Sequence, residues 1–585
     1  MAQLPKVDVV FVGFGLVGGA IANELSKNTA LQMVALERGP FRDTYPDFLQ
    51  DHFDEWRYAV QSELFQDLSR NTITFRNSDD QTALPMREYG SFLPGNGVGG
   101  AMVHWNGVSW RFLPHFFEYR SHLEQRYGPD FLPEDTTIQD WGITYDELEP
   151  YYDQYEKMFG IAGKAGNLRG EIQEGGNPFE GPRGEYPQPP NKIAYGPSLF
   201  REACEELGYS PFPLPSGNSP QSYKNPDGMT LGACNYCGFC ERFGCHVGAK
   251  TSPIVTVIPH ALESGRVEIR QYSNAFRINH QDGVATSVSY YDANGMEQEQ
   301  PADLIIIGAW TLENVRLMLL SKISEPYDPK SGSGVVGKNY TYQTGGAGAT
   351  VWYTDRIINR FMGSGANGFG IDEFNSDNFD HSDLGFFGGG NIACSQTGAR
   401  PILGSGPLPP GAARWGSPWK QAVKEYYNRV VNFGMQGESP AYRQHYFDLD
   451  PTYRDAWGNP LLRLTFNWTD NERKMVKYVT ETALARIATA MGGQIQDARG
   501  TITDYSIVPY QSTHVQGGTI MGADPSTSVV NKYSQVWDMH NLFVIGASNF
   551  PQNAGYNPTG TVGALAYNAA DAIISRYLAS PGMLA

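Results

Sequence analysis

Val7-Asp8-Val9-Val10-Phe11-Val12 runs without a break into Gly13-Phe14-Gly15-Leu16-Val17-Gly18, and a helical pattern follows to about Ser26. The apolar run predicts a short strand, and a second one, Gln32 to Leu36, ends at Glu37. The whole is a strand-turn-helix-strand unit with G-x-G-x-x-G at its turn. Each glycine has its own task. Gly13 permits the tight turn, Gly15 lets backbone approach a pyrophosphate at the helix N-terminus, and Gly18 lets helix and strand pack closely. Glu37, 19 residues beyond Gly18, is placed to accept hydrogen bonds from ribose hydroxyls. A carboxylate there disfavours a 2′-phosphate, so a dinucleotide other than NADP is expected.

Further along the chain the same kind of unit returns. Asp303 to Ile307 reads as a strand that ends at Gly308 and feeds a helix from about Leu312 to Leu320, and residues 541 to 578 read as strand, turn and helix. Strands are also expected at Arg266 to Ile269 and at Ala285 to Tyr291, with Asn294-Gly295 as a hairpin turn. Thr144 opens a Thr-x-x-Glu capping signal for a helix starting near Tyr145, and another helix is expected near Glu472 to Met491. The Gly-, Pro- and Asn-rich residues 163 to 230 predict long ordered loops. Residues 343 to 415, glycine-rich and without period, predict loops over the site. No internal repeat is evident.

Composition bounds the possibilities. With 585 residues, 41% hydrophobic and 18% charged, the chain is globular and long enough for two domains. Acidic residues outnumber basic ones by 62 to 44 and no Lys/Arg run stands out, which argues against nucleic acid as a partner. Apolar runs fall far short of the ~20 residues that span a bilayer, so no direct membrane span is expected. The opening Met1 to Lys6 lacks the apolar core of a secretory signal and a twin-arginine pair, which by itself reads as cytoplasmic.

The chain resembles the glucose-methanol-choline (GMC) oxidoreductase family. Gly97-Val98-Gly99-Gly100-Ala101-Met102-Val103-His104-Trp105 is similar to its second FAD-contacting segment, and Asn541 to Ser548, continuing to Asn557-Pro558-Thr559-Gly560-Thr561, to its closing signature. His514 before Gly517-Gly518-Thr519 fits as well. The resemblance implies FAD as cofactor, with Gly99, Gly100, Gly546, Ala547 and Thr561 among its contacts. It also implies that His514 takes the hydroxyl proton while the carbinol hydride leaves for the flavin, and that Asn557 holds the substrate oxygen. A neutral imidazole, with an ordinary pKa of ~6.5, suits that role. His104 matches a position at which some relatives attach the flavin covalently; the alternative is a histidine hydrogen-bonded near the ring.

Four of the six cysteines fall in Cys234-Asn235-Tyr236-Cys237-Gly238-Phe239-Cys240-Glu241-Arg242-Phe243-Gly244-Cys245. Thiolates this close suit an iron-sulfur cluster or zinc, and a compact run rather than two separated pairs favours the cluster. The segment is similar to that of bacterial flavoprotein-cytochrome dehydrogenases of the gluconate, fructose, glucose and sorbitol types, in which three cysteines hold a [3Fe-4S] cluster. Cys234, Cys240 and Cys245 fit those ligands. The last interval is one residue longer than in the fructose and glucose types and Cys237 is additional, so [4Fe-4S] stays open. Cys204 and Cys394 are expected to be inert core residues.

The fold class expected is α/β, with a Rossmann-like, discontinuous FAD domain from residues 1–50, 90–110, 230–340 and 505–585. An α+β substrate domain on an antiparallel sheet is expected from 111–229 and 341–504. The expected function is dehydrogenation of a secondary alcohol of a sugar acid, sugar or polyol, gluconate at C2 being the leading substrate. A GMC-type pyranose or glycoside oxidase, a glycoside 3-dehydrogenase, and a zinc-stabilised protein without turnover are the alternatives. The resemblance further implies a small helper subunit that carries the export signal and a multihaem cytochrome c subunit, on the periplasmic side of the inner membrane.

Overall fold

The structure, a computed structural model, describes residues 2–49, 55–88, 92–398, 400, 402, 404–510 and 512–584. Of the expected domain segments, residues 1, 50, 90, 91, 399, 401, 403, 511 and 585 lie outside the described residues.

The Val7–Val12 strand is the middle of a five-stranded parallel sheet. Met33–Leu36 and then Val267–Arg270 lie on one side, Glu297–Ile307 and then Leu542–Val544 on the other. Val9, Val10, Phe11, Ile305, Ile306 and Ile307 are fully buried, which is why these strands read as unbroken apolar runs. Helix Leu16–Asn28 covers the sheet, starting two residues before and ending two after the expected span.

The strand expected from Asp303 begins at Glu297, because its two halves have different neighbours. The first half pairs antiparallel with Val284–Tyr291, which pairs with Asn274–Gln281. The second half joins the parallel sheet between Val7–Val12 and Leu542–Val544. The polar first half alternates for a half-exposed ribbon, so only its apolar end looked like a strand.

The second sheet is wholly antiparallel, in the order Ile495–Gly500, Ala347–Trp352, Val430–Gly437, Gly390–Ser395, Gly368–Ile371 and Phe212–Pro213. An antiparallel sheet was expected within 111–229 and 341–504, without its individual strands being located. Three of its strands lie within 343–415, where irregular loops were expected. Glycines within those strands serve packing rather than turning: a Cβ on Gly368 would stand 1.9 Å from Cys394 O, and one on Gly390 2.2 Å from Gln436 O. The 163–230 segment likewise is not loop alone, for it contains helix Tyr195–Glu206. Leu199, Phe200, Ala203 and Cys204 of that helix bury with Cys394 and Phe433 in a core beneath the second sheet.

Helix Tyr145–Phe159 carries a complete capping box at Thr144 and Glu147. It packs on helix Thr559–Ala572, with the Tyr152 and Thr561 hydroxyls 2.6 Å apart, and so ties the 111–229 region to the parallel sheet.

Candidate active site

One cleft of about 360 Å³ runs along the C-terminal ends of the parallel strands, the usual place for a ligand in such a sheet. Gly13, Gly15, Glu37, Gly100, His104, His514, Gly546, Ala547 and Asn557 all line it. Gly18, Gly99 and Thr561 stand behind the lining instead. A Cβ on Gly18 would meet Gly13 O at 2.6 Å, the helix-strand contact the third glycine was expected to allow.

At the first turn, Gly13 has φ +83° and a Cβ there would stand 2.7 Å from Ala309 Cα, so no other residue fits. Gly99 donates its N–H to Phe14 O at 2.8 Å, drawing the second glycine cluster against the first. Glu37 accepts from the N–H groups of Phe14 and Gly39, each at 3.0 Å, which fixes its carboxylate in the lining. Asn314 accepts from Ala309 N at 2.8 Å and donates to Ile545 O and Ser548 Oγ at 3.2 and 3.0 Å, locking two strand-end loops together.

His514 and Asn557, far apart in sequence, meet in this cleft, with His514 Nε2 and Asn557 Nδ2 3.0 Å apart. Thr341 and Gln516 exchange backbone hydrogen bonds, both 3.1 Å, as an antiparallel pair. Two residues away from that isolated bridge in each segment, Gln343 falls beside His514. Gln343 Nε2 donates to Ala554 O and Tyr556 O at 3.0 and 2.6 Å, so its oxygen is the atom that faces His514 Nδ1. Nδ1 therefore carries the ring proton and Nε2 a lone pair.

Asn557 is oriented by the same logic. The Trp110 indole, a donor only, gives its N–H to Asn557 Oδ1 at 3.1 Å, which turns Nδ2 toward His514. Tyr556 stacks on Trp110 at 4.4 Å and keeps the indole in place. Burial pushes the His514 pKa down to about 3, so at ordinary pH the imidazole is neutral and its Nε2 lone pair faces the Asn557 amide. Sequence reading missed Gln343, Trp110 and Asn314. The pairing of Thr341 with Gln516 that reveals Gln343 leaves no local signal.

His104 is buried, and its Nε2 has no hydrogen-bond partner among the described residues. Burial, with Lys250 nearby, pushes this histidine down to about 3 as well. The glycine-lined floor, the Glu37 carboxylate, the unpartnered His104 nitrogen and the His514 lone pair in one cleft fit FAD. Among the described lining residues the one Lys or Arg side chain is Arg38, which pairs with Glu313 at 3.0 Å.

The cysteine loop lies directly behind His104 and Trp105. Arg242 donates its N–H to His104 O at 2.7 Å, and Glu241 lines the cleft. Among the described residues no three His, Cys, Asp or Glu side chains converge as a single metal ion requires. A cluster makes a different demand, since its thiolates bind separate iron atoms and are tuned by N–H···S bonds. Such bonds reach Cys234 from Tyr236 N and Cys245 from Lys250 N, both at 3.4 Å. Burial pushes the Cys240 thiol up to about 11 and the Cys234 thiol to about 12, so loading either with metal releases a proton. No helix among the described residues is long and apolar enough to cross a membrane.

Family models described as GMC oxidoreductase match residues 138–344 and 445–566. The gluconate 2-dehydrogenase flavoprotein of Pantoea cypripedii is 44% identical over all of this chain and 96% of its own length. The fructose dehydrogenase large subunit of Gluconobacter japonicus is 26% identical over 97% of this chain and 98% of its own. Among solved structures, pyridoxine 4-oxidase from Mesorbium loti shares the fold with a TM-score of 0.56 at 17% identity, covering 97% of this chain and 98% of its own. By both family models and by full-length identity to a flavoprotein, the chain belongs to the GMC oxidoreductase family.

Proposed function

We propose that this chain oxidises a secondary alcohol of a sugar acid, D-gluconate at C2, and passes the electrons through an iron-sulfur cluster to a cytochrome c subunit. FAD, when bound, supplies the hydride acceptor, and the cluster supplies a one-electron relay. The observation that carries the reading is the unprotonated Nε2 of His514, fixed in the cleft by Gln343 and faced by the Asn557 amide.

The substrate hydroxyl donates to His514 Nε2, which accepts its proton as the carbinol hydride departs. Asn557 Nδ2 donates to the same oxygen and holds it without competing for the proton. Asn106, Gln436, Tyr510 and Thr513 also line the cleft and offer partners for the remaining hydroxyls. The choice of gluconate rests on the 44% identical relative. A dye-linked substrate panel tests it: kcat/KM for gluconate should exceed those for glucose, fructose and sorbitol by about tenfold or more, ~1.4 kcal/mol in the barrier. A neutral sugar or polyol that outruns gluconate removes it as substrate.

Asn557→Ala is expected to keep FAD and lower kcat by about tenfold, because the oxygen loses its positioning donor while the base stays. Steady-state rates at saturating gluconate, normalised to bound flavin, measure this. A loss as large as that of the His514 variant would make Asn557 part of the proton transfer itself.

His104 is proposed to hold the flavin covalently through its unpartnered Nε2. Acid precipitation should then leave yellow colour with the protein, and His104→Ala should release it to the supernatant. Free flavin from the wild type would refute attachment.

For the cluster, [3Fe-4S] is proposed over [4Fe-4S] because the spacing of Cys234, Cys240 and Cys245 is similar to that of the three cysteines in the flavoprotein-cytochrome dehydrogenases. Iron and acid-labile sulfide should both be present in the purified protein. An oxidase or a zinc protein would lack them. That the fructose enzyme's chain is called a large subunit supports partner subunits here too, proposed as a small helper and a multihaem cytochrome c at the periplasmic side of the membrane.

A further inference from the structure

Asp372 is fully buried, directly after the strand Gly368–Ile371 of the second sheet, and neutral donors converge on its carboxylate. The Tyr556 hydroxyl and Asn177 Nδ2 donate to one oxygen, the latter at 2.6 Å. Asn375 and Asn391 Nδ2 donate to the other at 3.1 and 2.9 Å. Two of these amides cannot turn round, since Asn177 Oδ1 accepts from Phe179 N at 3.0 Å and Asn391 Nδ2 also donates to Ile371 O at 3.2 Å. A carboxylate only accepts, which suits such surroundings. An amide in its place would turn an N–H against a donor.

What the carboxylate grips is Tyr556, itself fully buried and next in sequence to Asn557. Its hydroxyl is committed to Asp372 and to Asn177, whose Nδ2 lies 3.1 Å away. The rest of the residue serves the two reacting side chains by separate routes. Its ring stacks on Trp110 at 4.4 Å with 8° between the planes, and that indole fixes Asn557 Oδ1. Its carbonyl accepts from Gln343 Nε2 at 2.6 Å, which turns the Gln343 oxygen to His514 Nδ1. The backbone beside it has no slack, because a Cβ on Gly555 would stand 2.5 Å from Asn375 Oδ1 and 3.0 Å from Gly390 Cα. The chain that carries Asn557 thus rests directly on the second sheet.

We infer, on the reading that His514 and Asn557 act on the substrate hydroxyl, that Asp372 is a positioning residue: by accepting from the Tyr556 hydroxyl it holds both side chains in register with the substrate. This is what the second sheet contributes to the chemistry. Asp372 does not line the cleft, so it touches neither substrate nor flavin and moves no proton. Small misplacements of reacting groups cost rate out of proportion to their size, so a side chain two contacts away from the substrate has leverage on kcat.

Turnover is measured with a small dye as acceptor and the fastest substrate of the dye-linked panel, and normalised to bound flavin, so that no partner subunit enters. His514→Ala comes first: near-normal kcat there ends the reading on which the inference stands, whatever Asp372 does. With His514→Ala slow, Asp372→Asn is expected to keep its flavin, lose about fivefold or more in kcat and hold KM within about threefold, the pattern of a lost transition-state interaction. Tyr556→Phe, which keeps the ring stack and the carbonyl and removes only the hydroxyl, should do the same. The double variant should stay within about threefold of the slower single one, because both break one contact. A smaller loss in Asp372→Asn, a defect confined to KM, or losses that multiply in the double variant overturn the proposal. If Asp372→Asn does not hold flavin, Tyr556→Phe decides: the fivefold loss at unchanged flavin content and KM supports the inference, and a smaller loss overturns it. Loss of flavin from both makes the contact a strut of the fold and overturns it as well.

Discussion

His514→Ala is expected to bind FAD with an unchanged visible spectrum and to lose about 10² to 10⁴ in kcat, some 3 to 5 kcal/mol of barrier. The loss should be this large because the neighbouring groups are committed elsewhere. Asn557 has turned its donor toward the reaction and its oxygen toward Trp110, and Gln343 is tied to two carbonyls, so neither can take over the proton. The pH dependence carries a second signature. Burial lowers the His514 pKa to about 3, so the base becomes protonated only as pH falls toward that value. Its protonation should therefore cause no fall in kcat/KM between pH 8 and 5, and an acidic limb near 6.5 would mean that a different group is the base. A His514→Ala protein with near-normal kcat would remove the residue from the mechanism.

The parallel sheet was legible because each of its signals is local. The apolar run from Val7, the three glycines and Glu37 sit within 31 consecutive residues, so the motif is complete in one stretch even where, as between Gly13 and Ala309, the contact it serves lies outside it. The second sheet was not legible for the opposite reason. Gly368 and Gly390 are small because Cys394 and Gln436 press on them across strands, and a glycine that yields to a distant backbone looks like one that makes a turn. The site divides in the same way. His514 and Asn557 were found through flanking motifs, whereas Gln343, which fixes the tautomer of His514, follows only from the pairing of Thr341 with Gln516. Asp372 was passed over because an aspartate in sequence gives no hint of burial.

Cys240→Ser is expected to separate the two halves of the reaction. Cys240 is the cysteine nearest the wall of the FAD cleft by connection: its Sγ lies 3.5 Å from Asn218 Oδ1, Asn218 Nδ2 donates to Asn106 O at 2.9 Å, and Asn106 lines the cleft. Serine keeps the volume but is a poor ligand for iron, so iron and sulfide should fall to a small fraction of the wild-type content. His514, Asn557 and Gln343 lie on other segments and make none of those contacts. In an anaerobic single turnover, gluconate should therefore still bleach the flavin absorbance at close to the wild-type rate. Electron delivery to the native cytochrome should then drop by ~10²-fold or more, while a small diffusible dye that enters the cleft should still be reduced. Wild-type delivery to the cytochrome by Cys240→Ser would show that the cluster is not the conduit. The companion Cys237→Ser decides the ligand set, because unchanged iron content leaves Cys234, Cys240 and Cys245 as sufficient, and loss of iron adds a fourth thiolate. In both variants the flavin serves as the folding control: a protein that keeps its flavin but not its iron has lost a ligand and kept its fold.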